Sequence, residues 1–387
     1  MKVHTGERLA AGHASALRYF GRGGLIVLIA AVAGHVAMSY FEFLRYIEQR
    51  NFDRWIIWHT QPSPPELAVI DIDDAAWFND FRGGGVLRQE MVQKLIEAAD
   101  RGGAKVIGVD VDTRDWDPLA LATLHTRAPV VWAAVPLGSY RSTHDGPWRK
   151  VRAFQRYCGS VAVERFHLDA VVRTMPGPRS LAAVMQLPAR GRGCPEEERS
   201  EEPEEGDYIR FIQRPAEAGE SVLRSAAAAY PADSVLEGAK PGMFQDQYVL
   251  IGGSFEDTAD RHLTPFGETF GLDLQADILA SQLTGPVRRA PEWLVIVSDI
   301  MFGSALLALL WLVHERPLWR WIALLAGAPA GSIALALWSF RGGLFISFLP
   351  ILLGVILHEI IDMTLEQREL RCELAELKLR AGRSGTR

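Results

Sequence analysis

Residues 66–111 decide the fold, and they read ELAVIDIDDAAWFNDFRGGGVLRQEMVQKLIEAADRGGAKVIGVDV. Residues 66–73 and 104–111 are runs rich in Val, Ile and Ala, with the length and composition of buried strands. Between them, residues 86–101 carry apolar side chains at spacings of four, which predicts an amphipathic helix. A strand, a helix and a second strand in this order predict parallel pairing with a right-handed crossover. The apolar helix positions are Leu87, Met91, Leu95 and Ala99.

The same alternation continues along the chain. A short helix is predicted over residues 119–126, and a third strand over residues 129–136, PVVWAAVP. Later, residues 248–254, YVLIGGS, predict another buried strand, and residues 272–283 predict a helix. We therefore predict an α/β domain over residues 45–292, with a mixed, largely parallel sheet and covering helices.

Composition excludes some classes of function. The chain of 387 residues has a formal net charge of −6 and no dominant basic region, so a nucleic-acid partner is not expected. Residues 196–207, EEERSEEPEEGD, contain no apolar side chain, so we expect a solvated loop there. The short motifs of serine hydrolases, P-loop proteins and zinc metalloproteases are also missing, so no sequence pattern favours an enzyme.

Four apolar stretches are long enough to cross a bilayer as helices, which takes about 20 residues. Arg8, Arg18 and Arg22 precede the first stretch and indicate that residues 1–23 form a basic, cytoplasmic N-terminus. The alternative for the first stretch is a signal peptide cleaved near Ala33, which would export the same domain. The four stretches are residues 24–44, 293–313, 318–340 and 343–361.

These spans predict a multi-pass protein of the inner (plasma) membrane, in contact with membrane lipid. Residues 45–292 would lie outside the cytoplasm, and residues 362–387 would return to it as an amphipathic basic tail. Heptad-like spacing in the tail predicts either a coiled coil between two subunits, giving a homodimer, or a helix on the anionic inner leaflet. A frayed tail is the third reading. The apolar tail positions are Met363, Leu370, Leu374, Leu377 and Ala381.

Two ionisable residues fall inside the predicted spans. At about 1.5 Å of rise per residue, His35 in the first span and Asp299 in the second lie within roughly 5 Å of each other in depth. We expect them to hydrogen-bond, because a lone carboxylate in hydrocarbon is costly. In the alternative arrangement Asp299 bonds Ser298 or Ser304, and His35 faces lipid.

Three cysteines are too few for a disulfide-built scaffold or a cysteine-rich zinc site. Cys158 and Cys194 fall in the domain predicted to be exported, where disulfides form readily. A Cys158–Cys194 disulfide is therefore one expectation, and two separate thiols are the other.

Acidic residues follow the first two predicted strands. Asp71 and Asp73 lie at the end of the first strand, and Asp110 and Asp112 at the end of the second. Open parallel sheets bind ligands at the carboxyl ends of their strands, so these four side chains predict a site for a cationic ligand or a divalent metal. The identity of a metal, or of any cofactor, stays open. In the alternative reading each aspartate caps the turn or helix that follows it.

A second candidate group follows the strand at residues 248–254. Asp260 and His262 come shortly after the glycine-rich end of this strand, where backbone amides could approach an anion. The simpler interpretation is that the glycines only allow a tight exit from the strand.

Four segments together resemble the type-two CHASE domain family of extracellular sensory domains. The last two segments, in tandem, are the most specific, and three closely spaced C-terminal membrane helices also look like that family. The sequence departs from the family at residues 81–85, FRGGG, and at residues 271–277, GLDLQAD, where the family tends to have Gly-Val-Glu-x-His-Ala-Asn. The segments are AVIDIDDAAW (68–77), RGGAKVIGVDVD (101–112), YVLIGGSFEDTADRHLTPFG (248–267) and GLDLQADILASQLTG (271–285).

The resemblance implies a membrane-anchored sensor or signal-transduction module. Its exported domain would bind an unidentified extracytoplasmic ligand and relay the signal through the membrane helices. Because no output domain is recognisable after the fourth span, the relay would end on a separate cytoplasmic protein partner. The alternatives are an envelope scaffold that binds no small ligand and an exported metal-dependent enzyme.

Overall fold

The computed structural model divides into two compact units, a terminal unit of Met1–Asn51 with Ala290–Arg387 and a central unit of Phe52–Arg289. The residues it describes are 25, 28, 29, 32–34, 36, 40–81, 87–113, 116–134, 155–163, 165–188, 207–212, 227–258, 260–312, 322, 326–346, 364, 367, 368, 371, 372 and 374.

A six-stranded sheet forms the centre of the central unit. Its order is β4-β3-β2-β6-β1-β5, and every neighbouring pair is parallel. A separate antiparallel hairpin, β7 (Arg261–Thr264) with β8 (Gly267–Phe270), follows the sheet in sequence. The sheet strands are β1 (Leu67–Ile72), β2 (Val106–Asp110), β3 (Val130–Ala134), β4 (Tyr157–Ser160), β5 (Ala228–Pro231) and β6 (Tyr248–Gly253).

Helices connect and cover these strands. Two of them, α8 (Glu292–Leu312) and α9 (Ala328–Arg341), belong to the terminal unit, as does the two-residue strand β10 (Leu344–Phe345). The earlier helices are α1 (Glu42–Trp58), α2 (Asp74–Asn79), α3 (Gln89–Arg101), α4 (Pro118–Ala122), α5 (Leu181–Gln186), α6 (Ala232–Gly238) and α7 (Gly271–Thr284), and the short strand β9 is Arg288–Arg289.

The two faces of the sheet pack against different helices. Ile70 on β1 and Val249 on β6 belong to one core cluster with Leu95 of α3 and Val235 of α6. Residues one position along each strand face the other way, towards α5 and α7. Burial on both faces explains why β1 is apolar at nearly every position instead of alternating with polar residues.

The predicted α/β class with a largely parallel sheet and covering helices is confirmed. Strands predicted at residues 66–73, 104–111 and 129–136 lie one or two residues inside those limits. The predicted helix at residues 86–101 begins at Gln89, and the predicted helix at residues 272–283 is α7. Both edge strands, β4 and β5, and the β7–β8 hairpin were not predicted, because they are only four residues long and have weak patterns.

In the parts of the chain that the structure describes, no helix is both long enough and apolar enough to cross a membrane. The predicted N-terminal segment 1–23 lies outside the described residues, and so do nine residues of the span 24–44, most of the span 343–361 and most of the tail 362–387. The four spans therefore stay predictions from the sequence.

At Gly159 the start of α5 lies close against the sheet. A Cβ atom at this position would lie 2.5 Å from Leu181 Cα and 2.7 Å from Leu181 N, at the beginning of α5. Both are backbone atoms, so α5 could not yield without moving off the sheet.

We therefore expect Gly159→Ala to destabilise the protein by about 1–3 kcal/mol, the usual cost of overpacking. Thermal unfolding of the purified full chain measures this change. Gly177→Ala is the matched control, because a Cβ atom there meets nothing within 4 Å. Equal melting temperatures for the two variants would contradict the packing argument.

Candidate ligand site

Two aspartates flank a glycine at the carboxyl end of the sheet. Gly252 on β6 is in register with Asp71 on β1 and with Asp110 on β2. In-register residues of parallel strands point to the same face, and two strand spacings separate the outer pair by about 10 Å. Asp71, Gly252 and Asp110 therefore form one row across three strands, on the face that α7 covers.

Gly252 is needed in this row for steric reasons. A Cβ atom there would lie 2.8 Å from Leu272 Cδ1 and 3.1 Å from the backbone oxygen of Asp110. Leu272 is the second residue of α7, so the missing side chain lets the start of this helix approach the strand ends.

Asp71 is held in place by a hydroxyl group. The residue is 6% exposed, and Ser254 Oγ donates a hydrogen bond to Asp71 Oδ1 over 2.5 Å. Ser254 is itself fixed, because its backbone amide donates to the oxygen of Ile72 over 3.0 Å. The carboxylate thus has one anchored partner at the end of β6.

Asp110 carries the most perturbed carboxyl group of the site. Part of the residue reaches the surface at the strand end, but protein atoms surround its carboxyl group. This burial is the main reason why the pKa of Asp110 rises to about 8, and the negative charge of Asp260 is the second reason. At neutral pH, Asp110 is therefore mostly protonated.

Asp260 links this buried group to a histidine and an arginine. His262 Nε2 lies 2.8 Å from Asp260 Oδ1, and His262 Nδ1 lies 3.3 Å from Arg165 Nη2. A guanidinium group has only donors, so Nδ1 must accept and the Nε2–H group must donate to Asp260. The contacts therefore assign His262 as the neutral Nε2–H tautomer.

The start of α7 positions Asp260. The amide of Gly271 donates to the backbone oxygen of Asp260 over 2.9 Å, and the Asp260 carboxylate occupies the space where a Cβ atom of residue 271 would lie. The carboxylate thus sits beside the first residue of a 14-residue helix, whose N-terminal end favours negative charge.

A family model for the CHASE2 domain matches residues 25–314, which is well over half of the chain. The chain belongs to the CHASE2 domain family. No curated protein and no solved structure matches it. CHASE2 domains are extracellular sensory domains, so the family assigns a sensory role and indicates an exported domain.

The CHASE2 site uses only some of the residues that the sequence predicted. Asp71 and Asp110 lie at strand ends of the sheet, and Asp260, whose charge acts on Asp110, contacts His262 on β7. Asp73 caps α2, because its Oδ1 accepts a hydrogen bond from the amide of Ala76 over 2.9 Å. Asp112 is exposed, two residues beyond the end of β2.

Within the described residues, no group of three or more His, Cys, Asp or Glu side chains could hold a metal ion. The carboxyl groups of the site are instead engaged by a hydroxyl, a histidine and a helix start, as described above.

Sequence reasoning missed three contributors to the CHASE2 domain site. Ser254, Gly271 and Arg165 become relevant only through contacts across 183, 11 and 97 positions of sequence, to Asp71, Asp260 and His262 respectively. Ser254 and Gly271 fall in the segments that resemble the family, but no local signal marks Arg165.

The other predicted pairs are only partly within the described residues. Asp299 on α8 is 3% exposed, and neither of its carboxyl oxygens has a hydrogen-bond partner there, so Ser298 and Ser304 do not bond it. His35 lies outside the described residues. Cys158 is disulfide-bonded and Cys372 is free and exposed, whereas Cys194 also lies outside the described residues. The His35–Asp299 and Cys158–Cys194 pairs stay predictions.

The raised pKa of Asp110 predicts a pH-dependent stability. The folded state retains the proton up to about pH 8, whereas the unfolded chain releases it near the ordinary pKa of 3.8. The contribution of Asp110 to stability is therefore most favourable below about pH 4 and falls as the pH rises to about 8. An asparagine side chain at this position could not ionise and would escape this loss.

We expect Asp110→Asn to match the wild-type protein near pH 4 and to unfold at a higher temperature at pH 8. A gain of at least about 1 kcal/mol would raise the midpoint by roughly 2–4 °C. Melting curves of both proteins from pH 4 to pH 9 measure this. Asp117→Asn, at an exposed helix cap, is the control, because its effect should not grow over the same pH range.

Proposed function

We propose that this CHASE2 domain is an exported receptor for a small, positively charged organic ligand, which binds at the carboxyl end of the sheet. The observation that carries the proposal is the buried carboxyl group of Asp110. It lies at the end of β2, next to Gly252 of β6, and the charge of Asp260 acts on it. Ligand crevices of open parallel sheets lie at this edge.

Electrostatics favours a cation over an anion at this position. Asp71, Asp110 and Asp260 bring three acidic groups to one edge, and the charge of Asp260 already opposes the ionisation of Asp110. A cationic group between Asp110 and Asp260 would relieve this repulsion and would favour the release of the Asp110 proton. An amine or guanidinium group of the ligand could also donate a hydrogen bond to the Asp260 carboxylate, as His262 does.

The proton release makes the proposal testable. If ligand binding expels one proton, the binding constant should rise roughly tenfold for each unit by which the pH increases, up to about pH 8. A neutral or anionic ligand that left Asp110 protonated would show no such increase. The pH dependence therefore separates a cation receptor from a domain that binds some other molecule.

We expect organic cations such as putrescine, arginine and choline to raise the melting temperature of the full chain in detergent, more at pH 7.5 than at pH 6. Succinate and glutamate serve as anionic controls. Asp110→Asn should abolish the pH dependence of the shift, and Asp260→Asn should weaken the shift itself. Asp233→Asn, a half-buried position in the first turn of α6, is the matched control.

If no cation shifts the melting temperature at either pH, the cation-receptor proposal fails. A scaffold that binds no small ligand would then be the better description. A response to divalent metals alone would favour the metal-dependent reading instead.

The membrane part of the proposal rests on the sequence. The four apolar stretches would anchor the CHASE2 domain in the inner membrane, with residues 45–292 outside and the basic tail inside. The relay would run through the membrane helices to a separate cytoplasmic protein, and the tail would support a homodimer or bind lipid. The family assignment supports the exported sensory domain and is compatible with this arrangement.

A topology reporter tests this arrangement. We expect alkaline phosphatase inserted at residues 196–207 to be active, because this enzyme needs an oxidising compartment to form its disulfides. The same reporter fused after residue 387 should be inactive. Activity only at the C-terminal fusion would contradict the proposed orientation.

A further inference from the structure

A buried arginine, Arg173, binds helix α1 to the interior of the central unit. Arg173 is 2% exposed, and Asp53 on α1 is 5% exposed. Arg173 Nε donates to Asp53 Oδ1 over 2.6 Å, and Arg173 Nη2 donates to Asp53 Oδ2 over 2.8 Å. This bidentate geometry fixes both the position and the orientation of the carboxylate on α1.

A second carboxylate, that of Asp169, also binds Arg173. Asp169 accepts from Arg173 Nη1 over 2.9 Å and from Nη2 over 2.6 Å. Burial disfavours the charged form of Arg173, but the hydrogen bonds with Asp53 and Asp169 outweigh it and raise its pKa above the ordinary value. We call Asp53, Arg173 and Asp169 the arginine clamp.

The clamp is connected to the strand that carries His262. Val172, next to Arg173, donates its amide to the oxygen of Leu263 over 2.8 Å, and Val171 forms a parallel bridge with Leu263. Leu263 follows His262 on β7. Arg165, which contacts His262, lies at the start of the same segment. A displacement of β7 would thus move the backbone on which Arg173 sits.

Two aromatic rings provide a second contact between α1 and the segment that carries Arg173. Phe52 and Tyr208 are both fully buried, and their ring centroids are 4.0 Å apart. Tyr208 precedes Ile209, whose amide donates to the oxygen of Arg173 over 2.8 Å. Helix α1 is therefore attached to the Arg173 backbone through apolar packing as well as through the arginine clamp.

We propose that Arg173 is a positioning residue that couples the ligand site to α1, by transmitting movements of β7 to Asp53. This inference rests on the proposed function, because it takes the edge with Asp260 and His262 as the sensing site. Helix α1 begins at Glu42, within the last residues of the first predicted span, so it is the element through which a signal would reach the membrane. This route joins the expected ligand site to α1, and the residues that form it lie outside the expected site.

The test is a mutant cycle on the full chain in lipid nanodiscs, read by amide hydrogen exchange at one fixed pH. His262→Ala is the perturbation, and the α1 amides are the readout. We expect His262→Ala to speed exchange in α1 by about fivefold in the wild-type background and by less than about twofold in an Asp53→Ala background. Amides of α3, on the other face of the sheet, should not change.

Asp169→Ala is the matched control background. It removes one carboxylate from the same arginine but leaves Asp53 joined to it, so the response of α1 to His262→Ala should persist. Arg173 keeps one carboxylate partner in either variant, so each variant should permit folding. If Asp53→Ala does not fold, Asp53→Leu fills a similar volume without a hydrogen-bond acceptor and carries the same test.

Three results would overturn the inference. Exchange in α1 could be insensitive to His262→Ala in the wild type, equally sensitive in both aspartate backgrounds, or changed together with α3. The cycle uses no ligand, so its failure leaves the cation titration standing. A failed titration with a positive cycle would instead retain the coupling and remove the cation as the signal.

Discussion

The register of three parallel strands places the candidate site residues of this domain. Strand β6 lies between β1 and β2, and the parallel pairing aligns Asp71, Gly252 and Asp110 in one row. Both faces of the sheet are covered by helices, so a carboxyl group in this row is largely buried even though it lies near a strand end. The raised pKa of Asp110 is a direct consequence of this position.

Glycines make this arrangement compatible with close helix packing. Gly252 admits Leu272 above the strand ends, and Gly271 admits the Asp260 carboxylate beside the start of α7. A side chain at either position would separate α7 from the site. The hairpin formed by β7 and β8 then returns the chain to α7, which brings Asp260 and His262 next to the row of strand-end residues.

Several buried polar groups of α7 have structural partners. Asp277 accepts a hydrogen bond from the amide of Ile212 over 3.1 Å, and Ser281 bonds both the amide and the oxygen of Arg210. Gln275 donates to the oxygen of Val161 over 3.2 Å. These contacts tie irregular segments to the helix, because an unpaired backbone group in the interior would be costly. They explain why a largely buried helix contains several polar residues.

The amino-acid sequence by itself determined the class of fold, the order of the main strands and helices, and the membership of a sensory family. It did so because buried parallel strands and amphipathic helices leave strong periodic patterns, and because strand ends of a parallel sheet meet at one edge. The strand-end logic placed Asp71 and Asp110 at the same edge of the sheet, and their role in binding stays a prediction. Short edge strands such as β4 and β5 left too few residues for a pattern.

Only the tertiary structure decided the roles of the individual carboxyl groups. Asp71 and Asp73 are two residues apart in sequence, yet one bonds Ser254 across the sheet and the other caps α2. The arginine clamp joins positions 120 residues apart, and no local pattern distinguishes Arg173 from the other arginines of the chain. Such contacts depend on which distant segments the fold brings together. That information lies in the packing of the whole domain and not in any short stretch of sequence.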